Sequence, residues 1–171
     1  MNHPRAIPLD AETKAAERPV DHKAELKLWL RLLTCCNLIE ADIRRRLAAQ
    51  FAVTLPRFDL LAQLDKVPDG LTLGETSRRM MVSNANVTTL VERLVADGLI
   101  SRRTDPHDRR TSYISLTPEG RTAFAAMARA HEQWIAELFH GLDARDLASL
   151  MQLLGKTKAS VGRATADGPK Q

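Results

Sequence analysis

The chain has 171 residues, 44% hydrophobic and 27% charged, enough for one compact domain or two small subdomains and too apolar for an intrinsically disordered chain. Its net charge of +4 hides an uneven choice of cation: Arg supplies 18 of the 25 basic residues, and no Lys occurs between Val67 and Gly155. No apolar run reaches the roughly 18 residues of a membrane-spanning helix, no signal core is present, and the adjacent Cys35 and Cys36 cannot build a disulfide framework, so a reduced, cytoplasmic protein without a membrane partner is expected.

Residues 1–20 hold three prolines and no apolar period, which predicts a flexible arm. From Asp21 to about Phe51, residues Leu26, Trp29, Leu30, Leu33, Cys36, Ile43 and Leu47 recur at helical spacing. A second helix starts near Pro56, a residue suited to a first turn, and runs through Phe58, Leu61 and Leu64 until Pro68-Asp69-Gly70 stops it. Leu71–Leu73 suits a brief strand and Gly74–Met81 a short helix. Ser83 caps a further helix, Asn84 to about Asp97, with Val87, Leu90, Val91, Leu94 and Val95 as its apolar stripe and Gly98 as its stop. Two β-prone runs, Leu99–Thr104 and Thr111–Leu116, flank a cluster of turn formers and predict an antiparallel hairpin. Thr117, Pro118 and Glu119 open a helix that runs to about His140 through Phe124, Met127, His131, Trp134 and Leu138. A last helix carries Leu147, Leu150, Met151 and Leu154, and residues 163–171 suit a flexible tail. The outer helices have more apolar surface than one thin bundle can hide, which predicts burial against a second copy of the chain.

Two helices joined by a tight turn over 74–97 form a helix-turn-helix, whose second helix enters the DNA major groove. Beside its apolar stripe that helix offers Asn84, Asn86, Thr88, Thr89 and Arg93, with Glu92 as its one acid. Asn can pair with adenine edges, Arg with guanine, and the Thr methyl can meet the thymine methyl, although a solvated helix face also carries Asn, Thr and Arg. Ser83 and the amides at the helix start suit phosphate. The hairpin that follows makes this a winged helix. Arg102 and Arg103 lie on its rising strand and Arg109 and Arg110 at its tip, where a minor groove favours Arg. Asp105 precedes Pro106 at a turn. Asp108 lies two residues from Arg110 and can hold its guanidinium in one pose before DNA arrives.

The stretch Gly98–Gly120, with Asp108 and Arg110 in a D-x-x-D-x-R setting and then Leu116, Thr117 and Gly120 in Leu-Thr-x-x-Gly, resembles the MarR family of bacterial transcription regulators. The helices around Ser83–Ile100 and Leu71–Ser83 match the same family, and the resemblance spans about Lys23 to Val161. It implies a mainly α fold: a winged helix-turn-helix region at 54–118, and a dimerisation layer built from 21–53 and 119–162. It implies a homodimer on double-stranded, pseudo-palindromic operator DNA, a repressor released by a small-molecule effector. Arg110 would reach the minor groove, with Asp108 holding it.

A narrower resemblance, over Leu30–Thr88, is to the branch that controls aromatic-acid breakdown. Some of its members answer to hydroxycinnamoyl-CoA thioesters such as p-coumaroyl-CoA. On that reading Arg44, Arg45 and Arg46 would meet the CoA phosphates, and Trp29, Leu33, Phe58 and Trp134 would line the aryl slot; a free aromatic acid is the related candidate. Three arginines at helical spacing also suit a solvated face, and the four apolar residues also suit a core. Cys35 and Cys36 raise a redox-sensing alternative, and a winged helix that docks a protein is a further one. The five histidines lack zinc-ligand spacing, and no nucleophile triad, phosphate loop or carboxylate pair stands out. Neither a metal site, a cofactor nor an enzyme is expected.

Overall fold

A computed structural model describes residues 24–105 and 111–166. In chain order its elements are helices α1 (Ala24–Phe51) and α2 (Leu55–Asp65), strand β1 (Leu71–Thr72), helices α3 (Leu73–Met80) and α4 (Asn84–Ala96), strands β2 (Ile100–Thr104) and β3 (Ser112–Leu116), and helices α5 (Pro118–Leu138) and α6 (Ala144–Ala166). The protein is mainly helical, with one small antiparallel sheet in the order β1-β3-β2. The chain divides within α5 into two compact units, the first ending at His131 and the second beginning at Glu132. Among the described residues no helix is long and apolar enough to cross a membrane.

The first unit is built around α2, whose Phe58, Leu60, Leu61 and Leu64 are all buried. Val87, Val91 and Leu94 of α4 are buried, as are Leu71, Ile100, Ile114 and Leu116 of the sheet and Phe124 and Met127 of α5. The sheet register explains the burial of its strands. Ile100 faces Leu116, and Ile114 faces Leu71 on one side and Arg102 on the other. Side chains of paired residues share a face, so these residues form the inner row.

Three sequence expectations change. The expected strand at Leu71–Leu73 is only Leu71–Thr72, because Thr72 caps α3, which therefore begins at Leu73. The stripe of α4 is narrower than its periodicity suggests: Leu90 is half-buried and Val95 exposed, since the core covers only the Val87–Val91–Leu94 line. Residues 163–166, expected to belong to a flexible tail, are helical, because α6 continues to Ala166. Arg163 in the last turn suits the negative helix end.

Of the seven apolar positions spaced along α1, only Ile43 and Leu47 are buried within the chain. In the second unit Trp134 is buried, whereas α6 has no buried residue.

Candidate nucleic-acid interface

The turn between α3 and α4 has a defined chemistry. Met81 ends α3 in the left-handed region, at φ 54° and ψ 38°, and is almost fully exposed. The Val82 N–H then donates to the Ser77 carbonyl at 3.2 Å, and the Ser77 hydroxyl donates to the Val82 carbonyl at 2.5 Å. Ser83 caps α4 by accepting the Asn86 N–H at 3.3 Å, so its hydroxyl already serves the helix.

Asn84, Asn86, Thr89 and Arg93 are exposed on α4, and Thr88 is half-buried. The Thr88 and Thr89 hydroxyls donate back to the carbonyls of Asn84 (2.9 Å) and Ala85 (3.3 Å). With those hydroxyls spent inside the helix, the threonines offer mainly methyl groups. Asn86 and Thr89 border a groove with Pro56, Met80, Val82 and Leu90, which accounts for the partial exposure of Leu90. The face therefore carries amides, a guanidinium and methyls, the groups that read base edges.

The end of α4 is tied down from several sides. Gly98, at φ 73°, lets the Leu99 N–H return to the Leu94 carbonyl at 3.0 Å and the Gly98 N–H to the Val95 carbonyl at 3.0 Å, a Schellman cap. The Thr117 hydroxyl donates to the Gly98 carbonyl at 2.7 Å and accepts the Gly120 N–H at 2.9 Å. The Thr117 N–H donates to the Leu99 carbonyl at 3.1 Å. One threonine thus stitches the end of α4 to the start of α5. Arg57, at the start of α2, pairs with Asp97, the C-cap of α4, and fixes that end to a second helix.

In the hairpin, Arg103 lies opposite Tyr113, with its guanidinium 5.6 Å from the ring centroid. Arg102, one residue earlier, belongs to the other face, opposite Ile114. The Asp105 N–H donates to the Thr111 carbonyl at 2.9 Å and carries the pairing past β2. Asp108, Arg109 and Arg110, the tip residues singled out in the sequence, lie outside the described residues.

The residues considered for a ligand occupy different environments. Trp29 and Leu33 are exposed on α1, whereas Phe58 is a core residue whose ring lies 5.6 Å from Phe124 and 5.0 Å from His131. The structure therefore does not gather Trp29, Leu33 and Phe58 into one slot: the first two line a surface, the third the core. Trp134, in the second unit, is buried. Each of the three arginines is paired on its own helix: Arg44 with Glu40 at 2.6 Å, and Arg45 and Arg46 with Asp42. Next to Phe58, the Asp59 carboxyl is held above its ordinary value, by desolvation first and by Glu40 second; His131 and Arg44 oppose the shift. Cys35 and Cys36 are exposed on α1. Among the described residues no cluster of His, Cys, Asp and Glu suits a metal.

Sequence reasoning missed two contributors. The Arg57–Asp97 pair leaves no local signal, because its members are forty residues apart. The Thr72 cap does leave one, since Thr-x-x-Glu at Thr72–Glu75 is the spacing of a capping box.

Comparison with known proteins identifies this arrangement. A model of the MarR family matches residues 53–111, from just before α2 to the residue that precedes β3. The chain is 30% identical over 119 residues to the transcriptional activatory protein BadR of Rhodopseudomonas palustris, covering 67% of each. Among solved structures, a MarR family transcriptional regulator from Silicibacter pomeroyi superposes with a TM-score of 0.69 at 32% identity, over 80% of this chain and 94% of that one. BpsR of Bordetella bronchiseptica, whose DNA binding is regulated by 6-hydroxynicotinic acid, does so at 0.65 and 26% identity, over 75% and 96%. The chain belongs to the MarR family and is a DNA-binding transcription regulator.

Proposed function

We propose that the protein is a homodimeric, ligand-responsive repressor that leaves a pseudo-palindromic operator when a small aromatic acid binds. The amide, guanidinium and methyl face of α4 carries the reading, because those groups stand in solvent on a helix whose two ends are capped and tied. Asn84, Asn86, Thr88, Thr89 and Arg93 meet base edges or flanking phosphates. Ser83 acts by holding the helix start, while Arg103, Arg109 and Arg110 serve the wing and Asp108 positions Arg110. Two such helices must lie about one DNA turn apart, roughly 34–36 Å. An effector that prefers a dimer with another spacing draws the population off DNA.

The effector class is supported by kinship with BpsR, which answers to 6-hydroxynicotinic acid. A free acid is favoured over a CoA thioester, because Arg44, Arg45 and Arg46 would have to leave Glu40 and Asp42 to meet CoA phosphates. A ligand that binds only the folded protein raises its apparent stability. A thermal-shift panel should therefore show stabilisation by an aromatic acid, with the same compound releasing DNA in a gel shift. Stabilisation by the thioester alone would restore the CoA reading, and unchanged DNA affinity at saturating effector would refute ligand control. BadR is named as an activatory protein, so the sign of regulation is read separately, from transcription of a reporter behind the selected operator.

For the contacts, Arg93→Ala and Arg110→Ala should each weaken operator binding by about 1–3 kcal/mol in folded protein. Asp108→Ala should weaken it too, although it removes a negative charge near DNA. Tighter binding by Asp108→Ala would mean that the carboxylate only repels.

A further inference from the structure

A polar cavity of about 290 Å³ lies at the root of the wing, lined by Thr72, Leu73 and Gly74 at the start of α3 and by Arg102, Thr111 and Ser112 of the hairpin. Strand alternation creates it. Arg103 sits over Tyr113 on the outer row, whereas Arg102 shares the inner row with Ile100, Ile114 and Leu71. That row is buried near the sheet's base and opens where Arg102 stands. The guanidinium has no ion pair or hydrogen bond among the described residues, although arginines elsewhere in the protein find carboxylates. Gly74 leaves the opposite wall bare: a Cβ there would meet nothing within 4 Å. The neighbouring carboxylate, Glu75, is drawn into the Thr72 capping box by bonds of 2.7 and 2.8 Å.

We propose that this cavity seats one backbone phosphate of duplex DNA, gripped by Arg102. The inference rests on the DNA-binding reading and deepens it. It makes Arg102 the arginine of the wing stem that holds a phosphate, and Arg103 a residue committed to Tyr113. A guanidinium fork suits a phosphate's oxygens. The cavity's small, polar walls do not suit an aromatic ring. A phosphate contact carries no sequence information. It fixes the register of the wing stem on the duplex, so that groups at the wing tip and on α4 meet their own sites.

The test measures binding of a mixed-sequence duplex of about 30 base pairs across a salt series, by fluorescence anisotropy, for the wild-type protein, Arg102→Ala, Arg102→Lys and Gly74→Asp. Loss of one phosphate contact should lower the salt slope by about one and weaken binding to all sequences alike, by roughly tenfold at low salt. Arg102→Lys should keep most of the slope, because it keeps the charge. Gly74→Asp gives the sharper result. An acid in the first turn of α3 favours that helix, so thermal stability should hold or rise, while the same charge inside the cavity should weaken DNA binding. Unchanged slopes for both Arg102→Ala and Gly74→Asp, beside a steep wild-type slope, would overturn the phosphate seat and leave DNA binding intact. A flat wild-type slope would overturn both. Titration with inorganic phosphate separates a free-anion site: saturable stabilisation that Arg102→Ala abolishes, with an unchanged DNA slope, would assign the cavity to the free ion and refute the proposal.

Discussion

Thr72 does three jobs with its side chain and its backbone. Its N–H and hydroxyl both donate to Glu75, its hydroxyl accepts the Glu75 N–H at 3.2 Å, and its carbonyl takes the buried Thr76 hydroxyl at 2.8 Å. Thr72→Ala should therefore cost about 1 kcal/mol in denaturant unfolding at neutral pH. The Glu75 carboxyl lies below its ordinary value, first through the Thr72 backbone N–H and then through the Thr72 hydroxyl. A depressed carboxyl stabilises the fold above its unfolded value, and the gain is lost as pH falls through the folded value. Glu75→Gln should therefore flatten the loss of stability in acid; an acid limb identical to that of the wild type would show that the capping box contributes no charge. Asp59 has the opposite sign. Its raised value means that its charge opposes folding once pH exceeds the unfolded value, and the penalty is complete above the folded one. Asp59→Asn should raise stability at neutral pH and leave it unchanged in strong acid, and lower stability at neutral pH would mean that Glu40 and burial are outweighed by His131 and Arg44.

At the scale of elements, the junction of hairpin and α5 is where the recognition helix is held. A Cβ on Gly120 would stand 2.0 Å from the Leu99 carbonyl oxygen, in backbone that also accepts the Thr117 N–H. Gly120→Ala should thus cost about 1–3 kcal/mol by overpacking and loosen the end of α4, visible as faster amide exchange at Leu99 and Gly98. Unaltered stability would show that the helix start shifts freely. The Leu-Thr-x-x-Gly pattern that carried the family resemblance has a physical cause here: Thr117 bonds to Gly98 and Gly120, and Gly120 leaves room for Leu99. Such local chemistry was legible in the sequence. Ser83 as a cap, Gly98 as a stop and the hairpin runs all depend on neighbours a few residues away. The exposure of Val95 and the opposite facing of Arg102 and Arg103 were not legible, because strand register and the reach of the core decide them. The ion pair of Arg57 with Asp97 and the scatter of Trp29, Leu33 and Phe58 were hidden for the same reason.

At the scale of the whole molecule, α1 and α6 leave many of their apolar residues exposed. On α6, Leu147, Leu150, Met151 and Leu154 recur at helical spacing, yet none is buried, and on α1 Leu26, Leu28, Trp29, Leu33 and Leu38 are exposed as well. A helix of 23 residues without a buried side chain gains little from packing within the chain. Apolar patches of this extent mark an interface, and a second copy supplies a matching surface by symmetry. The wild-type protein should therefore sediment as a dimer, with an unfolding temperature that rises with protein concentration. Leu150→Glu combined with Leu154→Glu places two charges on the exposed stripe without touching the core of the first unit, and should yield a monomer that keeps its helical content. Such a monomer binds only one half-site. Its operator affinity should fall by roughly 10²–10⁴, the advantage that linkage gives a second site, while contact with a single half-site persists. A wild-type monomer whose unfolding temperature ignores dilution would refute the dimer. A charged variant that stays dimeric would move the interface away from α6 and onto the exposed face of α1.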